Sequence, residues 1–127
     1  MTGVVLDASA VLTVLLGELG AAAVAPHLAA ARISAVNYSE VLARTARLCG
    51  SLEEAKRRVD RHDFRVVPFD AERAVLAASL VPATRHLGLS LGDCACLALG
   101  LSLHHTVLTA DRAWAKLDLG VAIECVR

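Results

Sequence analysis

Short apolar runs alternate along the chain with longer stretches in which apolar residues return every three or four positions. Val4, Val5 and Leu6 form the first run; too apolar to alternate in polarity, it predicts a strand covered on both faces. Asp7 ends it, and Ala8 to Leu16 predicts a helix. Gly17 and Gly20 punctuate, and Ala21 to Ala31 predicts a second helix that Pro26 should kink or break. Arg32 to Val36 predicts a strand, and Asn37 to Leu48 a helix ending near Gly50. Ser51 with Glu54 three residues on has a capping-box pattern, opening a charged helix to about His62. Arg65 to Phe69 predicts a third strand, which Pro68 makes short or confines to an edge. Asp70 caps a helix through about Val81, a Pro- and Gly-bearing linker follows, and Ser90 starts a helix to about His104. Thr106 to Thr109 predicts strand four, Asp111 to Leu117 a short helix, and Val121 to Val126 a last strand.

Strand–helix alternation implies parallel strands joined by right-handed helical crossovers. The expected fold is α/β: a three-layer α/β/α sandwich around a central parallel sheet of four to five strands. With no repeat, no low-complexity tract and no change of composition, residues 1–127 read as a single domain.

Composition narrows the partners. The chain is 56% hydrophobic but only 3% aromatic, so Ala, Val and Leu must fill the core. Thirteen basic residues balance thirteen acidic ones. No global field draws in nucleic acid, so such a partner needs a local basic patch or bound metal. Cys49, Cys94, Cys96 and Cys125 form no C-x-x-C pair, so zinc and redox spacings fail and reduced core cysteines are expected. No basic residue precedes the first apolar stretch, which argues against a signal peptide. The uncharged run from Cys94 to Ala110 contains His104 and His105 and falls just short of the roughly 18 residues a membrane span needs. A soluble, cytoplasmic protein with no membrane partner is the expectation.

The acids carry the chemistry. Asp7 directly follows strand one, Asp111 follows strand four by two residues, and Glu40 lies early in the helix after strand two. The helix containing Asp93 feeds almost directly into strand four, so it ends at the amino edge of the sheet. About fifteen residues span roughly 22 Å, enough to bring Asp93 back to the carboxyl edge. Ligands of open parallel sheets bind beyond that edge. Four carboxylates gathered there repel one another unless a cation sits between them. Mg²⁺ or Mn²⁺, which prefer oxygen ligands and keep several waters, are the natural occupants. Such a site suits phosphodiester hydrolysis. Taken singly, each acid has a plainer role. Asp7 could N-cap the first helix; Glu40 could pair with Arg44 four residues on; Ser90 and Asp93 could form a capping box; Asp111 could start a helix.

The segments Leu6-Asp7-Ala8-Ser9-Ala10, Asn37-Tyr38-Ser39-Glu40-Val41, Leu89-Ser90-Leu91-Gly92-Asp93 and Leu108-Thr109-Ala110-Asp111-Arg112-Ala113-Trp114 resemble, in order, the four signature segments of PIN-domain toxins of the VapC type. The likeness runs from about Val4 to Val126. It implies that Asp7, Glu40, Asp93 and Asp111 form a catalytic quartet binding Mg²⁺ or Mn²⁺, with the hydroxyls of Ser9 and Thr109 in support. It further implies a ribonuclease toxin that cuts RNA such as tRNA or rRNA, forms a homodimer, and is inhibited by a cognate VapB-type antitoxin. A house-keeping PIN nuclease without antitoxin and an inactive PIN-like binding protein are the alternatives. Gly92 and Cys94 depart from the larger or basic residues that the resemblance leads one to expect beside the third acid; Cys94 reads as packing, with tuning of substrate or antitoxin contacts as the alternative.

The arginines at 57, 58, 61 and 65, with Arg44 and Arg47 upstream, read as a solvated helix face, or as a surface for RNA. Arg44, Arg47 and Arg112 are the candidates for RNA or antitoxin contact. His104 and His105 read as a helix terminus, and Trp114 as packing for its short helix. Other folds fit less well. A haloacid-dehalogenase phosphatase wants an acid where Ser9 stands, a receiver domain wants an acidic pair before Asp7, and no glycine-rich phosphate loop is present.

Overall fold

The computed structural model describes residues 3–127. Five parallel strands form one sheet in the order β3-β2-β1-β4-β5, comprising β1 (Val4–Leu6), β2 (Arg32–Ser34), β3 (Arg65–Val67), β4 (Thr106–Thr109) and β5 (Ile123–Cys125). Helices α1 (Ala8–Leu16), α2 (Ala21–Val24), α3 (Ala35–Cys49) and α4 (Leu52–Asp60) join the first three strands. Helices α5 (Ala71–Ser79), α6 (Val81–Thr84) and α7 (Leu91–Leu103) carry the chain from β3 back to β4. The α/β/α layering follows. Strand order reverses at β1, and right-handed crossovers then put the two helix groups on opposite faces.

Side-chain alternation along the strands divides the core accordingly. Leu6 and Leu108 face one cluster with Val11, Ile33, Val41 and Val59. Val5 and Val107 face the other with Cys96, Leu97, Leu99 and Trp114. Among the described residues no single helix is long and apolar enough to cross a membrane.

Element boundaries moved where local chemistry competed. Pro26 breaks the Ala21–Ala31 segment as expected: α2 ends at Val24 and residues Ala25–Ala30 continue as a 3-10 helix. Strand β2 stops at Ser34, two residues before the expected Val36, because the Ser34 hydroxyl accepts from the Val36 N–H at 3.3 Å and starts α3 early. The expected linker after α5 is ordered as α6 and a 3-10 turn at Arg85–Leu87. The short helix after Asp111 is a 3-10 helix at Arg112–Lys116, and the last strand is shorter than expected. Cys94 and Cys96 are buried as expected, but Cys49 and Cys125 are only half-buried. Trp114 is fully buried, and His104 is the C-cap of α7.

Candidate active site

The reversal of strand order between β1 and β4 opens a crevice at the carboxyl edge, where an open parallel sheet binds its ligands. Asp7 leaves β1 there, its N–H extending the ladder to Leu108 O at 3.0 Å. Its side chain does not cap α1. The carboxylate turns toward β4, and its Oδ2 accepts from Ser9 Oγ at 2.5 Å and Thr109 Oγ1 at 2.9 Å. Ser9 Oγ also accepts from the Ala110 N–H at 2.9 Å, and Thr109 Oγ1 from the Asp111 N–H at 3.1 Å. The two hydroxyls therefore stitch the ends of β1 and β4 together through one carboxylate oxygen.

Asp7 is only 5% exposed. Burial pushes its carboxyl up to about 6; the Ser9 and Thr109 hydroxyls oppose that rise, and the Asp93 charge adds to it. The thiol of Cys96 maps the neighbours. Burial raises it well above its ordinary range, and the charges of Asp7, Asp93 and Glu40 raise it further. Three carboxylates distant in sequence thus lie close enough for their charges to act on one buried thiol.

Each of the others has one oxygen engaged in positioning. Asp93 Oδ2 accepts from the Ser90 N–H at 2.9 Å while Ser90 Oγ accepts from the Asp93 N–H at 3.2 Å, closing the expected capping box. Asp111 Oδ1 accepts from the Ala113 N–H at 3.0 Å and starts its 3-10 helix. Glu40 Oε1 accepts from Asn37 Nδ2 at 3.0 Å, and the same amide donates to Gly92 O at 2.9 Å. The plain capping roles of Asp93 and Asp111 are therefore present. The cap at Asp7 and the Glu40–Arg44 ion pair are not. Among the described residues, none of the four acids is in an ion pair with Lys, Arg or His.

Asn37 and Gly92 are contributors that sequence reasoning passed over as site residues. The available signal was a polar side chain on the buried stripe of α3, shared with Val41 and Thr45.

Among the described residues, no three His, Cys, Asp or Glu side chains stand ready to hold one metal ion together. The donor chemistry nevertheless fits a hard cation. All donors are carboxylate oxygens, and one of them is buried with no cationic partner, a state that favours a bound cation. Mg²⁺ is ordinarily held by one or two carboxylates, with waters and substrate phosphate completing the shell.

The arginine candidates divide. Arg44 and Arg47 are exposed on α3, one and two turns beyond Glu40, and Arg112 follows Asp111 with its Nε donating to Arg127 O at 2.9 Å. Arg57 and Arg58 pair with Glu53 and Glu54 on their own helix, as a solvated face does.

The fold recurs in toxin–antitoxin crystal structures. A chain of the DNA-bound VapBC complex from Salmonella typhimurium aligns with TM-score 0.77 and 16% identity over 100% of both chains. One from a Klebsiella pneumoniae toxin–antitoxin complex aligns with TM-score 0.76 and 16% identity over 98% of each. One from VapBC-5 of Mycobacterium tuberculosis aligns with TM-score 0.63 and 22% identity, covering 100% of this chain and 99% of that one. No curated protein sequence matches. The PIN domain family model matches residues 4–119, from the first strand to just short of the last, and by that match the chain belongs to the PIN domain family.

Proposed function

We propose that the protein is a Mg²⁺- or Mn²⁺-dependent endoribonuclease, the toxin of a VapC-type toxin–antitoxin pair, which cuts RNA such as tRNA or rRNA and so inhibits translation. The observation that carries this reading is Asp7: a buried carboxylate with no basic partner among the described residues, its carboxyl raised further by the charge of Asp93, in the strand-reversal crevice of a PIN domain. The family is one of nucleases, and the similar structures are of VapBC and other toxin–antitoxin complexes. A VapB-type antitoxin and a second copy of the chain are the proposed protein partners.

Asp7, Glu40, Asp93 and Asp111 would hold the ion. Once bound, Mg²⁺ or Mn²⁺ supplies positive charge for the phosphodiester and lowers the pKa of water. The chain's own residues supply placement. Ser9 and Thr109 fix Asp7 by occupying Oδ2. Ser90 fixes Asp93 through the capping box. Arg44 and Arg47, exposed and without ion-pair partners among the described residues, offer contacts for backbone phosphates leading away from Glu40; Arg112 does so beside Asp111. With few aromatics, base stacking contributes little to holding the RNA.

The test is cleavage of total tRNA and rRNA by the purified protein with Mn²⁺ and with EDTA. Cleavage that needs Mn²⁺ and is lost in Asp7→Asn and in Asp93→Asn, both still folded, is the expected result. Undiminished turnover in either variant refutes the assignment. Mn²⁺ binding without turnover favours the inactive binding protein.

A further inference from the structure

Glu40 is an exposed residue on a helix surface, and a free glutamate there samples many rotamers. In this structure it is held. Its Oε1 accepts from Asn37 Nδ2, and its carboxylate lies in the notch left by the missing side chain of Gly92. A Cβ built at position 92 would stand 2.7 Å from Glu40 Cδ and 2.8 Å from Oε2, too close for any side chain to share the space.

Asn37 itself is fully buried. Both partners of its amide nitrogen, the Glu40 carboxylate and the Gly92 carbonyl, can only accept, so the amide orientation is forced. The consequence is an orphan: Asn37 Oδ1 is buried with no donor among the described residues. An unmade buried hydrogen bond costs stability. The fold carries that cost where an apolar side chain would avoid it, and what it obtains is a carboxylate fixed across the α3–α7 contact, against the residue preceding Asp93.

We propose that Asn37 is a positioning residue which, anchored on Gly92 O, acts through Glu40 to hold its carboxylate in place for the divalent ion. This rests on the reading of Glu40 as one of the ion's carboxylates. Partners that orient metal-binding side chains are typically worth roughly 10- to 100-fold in metal affinity or activity. Asn37→Ala and Gly92→Ala reach Glu40 by independent routes. The first removes the amide; the second fills the notch, and because the displaced atoms end a flexible side chain the fold survives it.

The test is a double-mutant cycle with Glu40→Ala, read as Mn²⁺ affinity without RNA and as kcat and KM for RNA cleavage. Each single variant is expected to weaken Mn²⁺ binding about 10-fold or more and to lower kcat with little change in KM. Neither is expected to cause further loss once Glu40 is alanine. Equal losses with and without Glu40 would make Asn37 merely structural and overturn the proposal, as would unchanged Mn²⁺ affinity in both single variants. An inert wild-type protein would instead count against the nuclease reading. In that event the Asn37 side-chain amide protons still decide the positioning. Slow solvent exchange that is lost in Glu40→Ala supports the latch, and exchange indifferent to Glu40 overturns it.

Discussion

The burial of Asp7 makes the stability of the metal-free protein depend on pH, and that dependence can be measured. Folding raises its carboxyl from the ordinary 3.8 to about 6, chiefly by burial. Between those values the folded protein keeps a proton that the unfolded chain has released, so stability falls as pH rises through the window. Two pH units correspond to roughly 3 kcal/mol, fully lost above about pH 6 in metal-free protein. Asn at this position has nothing to titrate. Paired thermal melts in EDTA should therefore show Asp7→Asn close to wild type at about pH 4 and several degrees more stable at about pH 7. Parallel pH curves would contradict this account of the burial. The sequence placed Asp7 at the end of a strand with Ser9 two residues on, but its contact with Thr109 depends on the pairing of β1 with β4, about a hundred residues apart in the chain.

At the scale of elements, the helices were the legible part. Helix α1 runs over Ala8–Leu16 and β4 over Thr106–Thr109, the spans their apolar patterns predict. Ser51, Asp70 and Ser90 each accept a backbone N–H as their positions predict. Boundaries were lost where one residue served two elements, as Ser34 does. The end of α7 shows a different compromise. His104 closes the helix with φ 55° and ψ 42°, a left-handed conformation that glycine adopts without strain. His104→Gly should stabilise the fold by about 0.5–1 kcal/mol, the relief exceeding the entropy glycine adds to the unfolded chain. Chemical denaturation should show a higher midpoint at unchanged slope; a lower midpoint would mean that the imidazole makes compensating contacts.

For the whole molecule, the sheet order decides where charge collects. Because β1 and β4 are parallel neighbours, Asp7 and Asp111 both follow strands that end at the carboxyl edge, and because α7 runs back to the amino edge before β4, Asp93 starts at the same rim. A ligand that binds only this folded arrangement stabilises it by mass action. Mn²⁺ at about 100 times its Kd should add about 2.7 kcal/mol, a rise in Tm of roughly 10 °C for a domain of this size. That rise should vanish in Asp7→Asn and remain in Arg57→Ala, whose ion pairs lie on α4. An equal rise in all three proteins would mean that Mn²⁺ binds elsewhere.

The sequence by itself determined the strand–helix alternation, the parallel sheet, most caps, and which four acids stand at strand ends or helix starts. Each of these follows from periodicity or from a side chain bonding its own local backbone, and needs no distant partner. Tertiary structure alone decided which carboxylates lie near enough for their charges to act on the buried Cys96 thiol, and that Asn37, anchored on Gly92 O, holds Glu40. Those outcomes depend on how closely α3 approaches α7 and on strand order, which are set by packing between segments far apart in the chain and leave no local period to read.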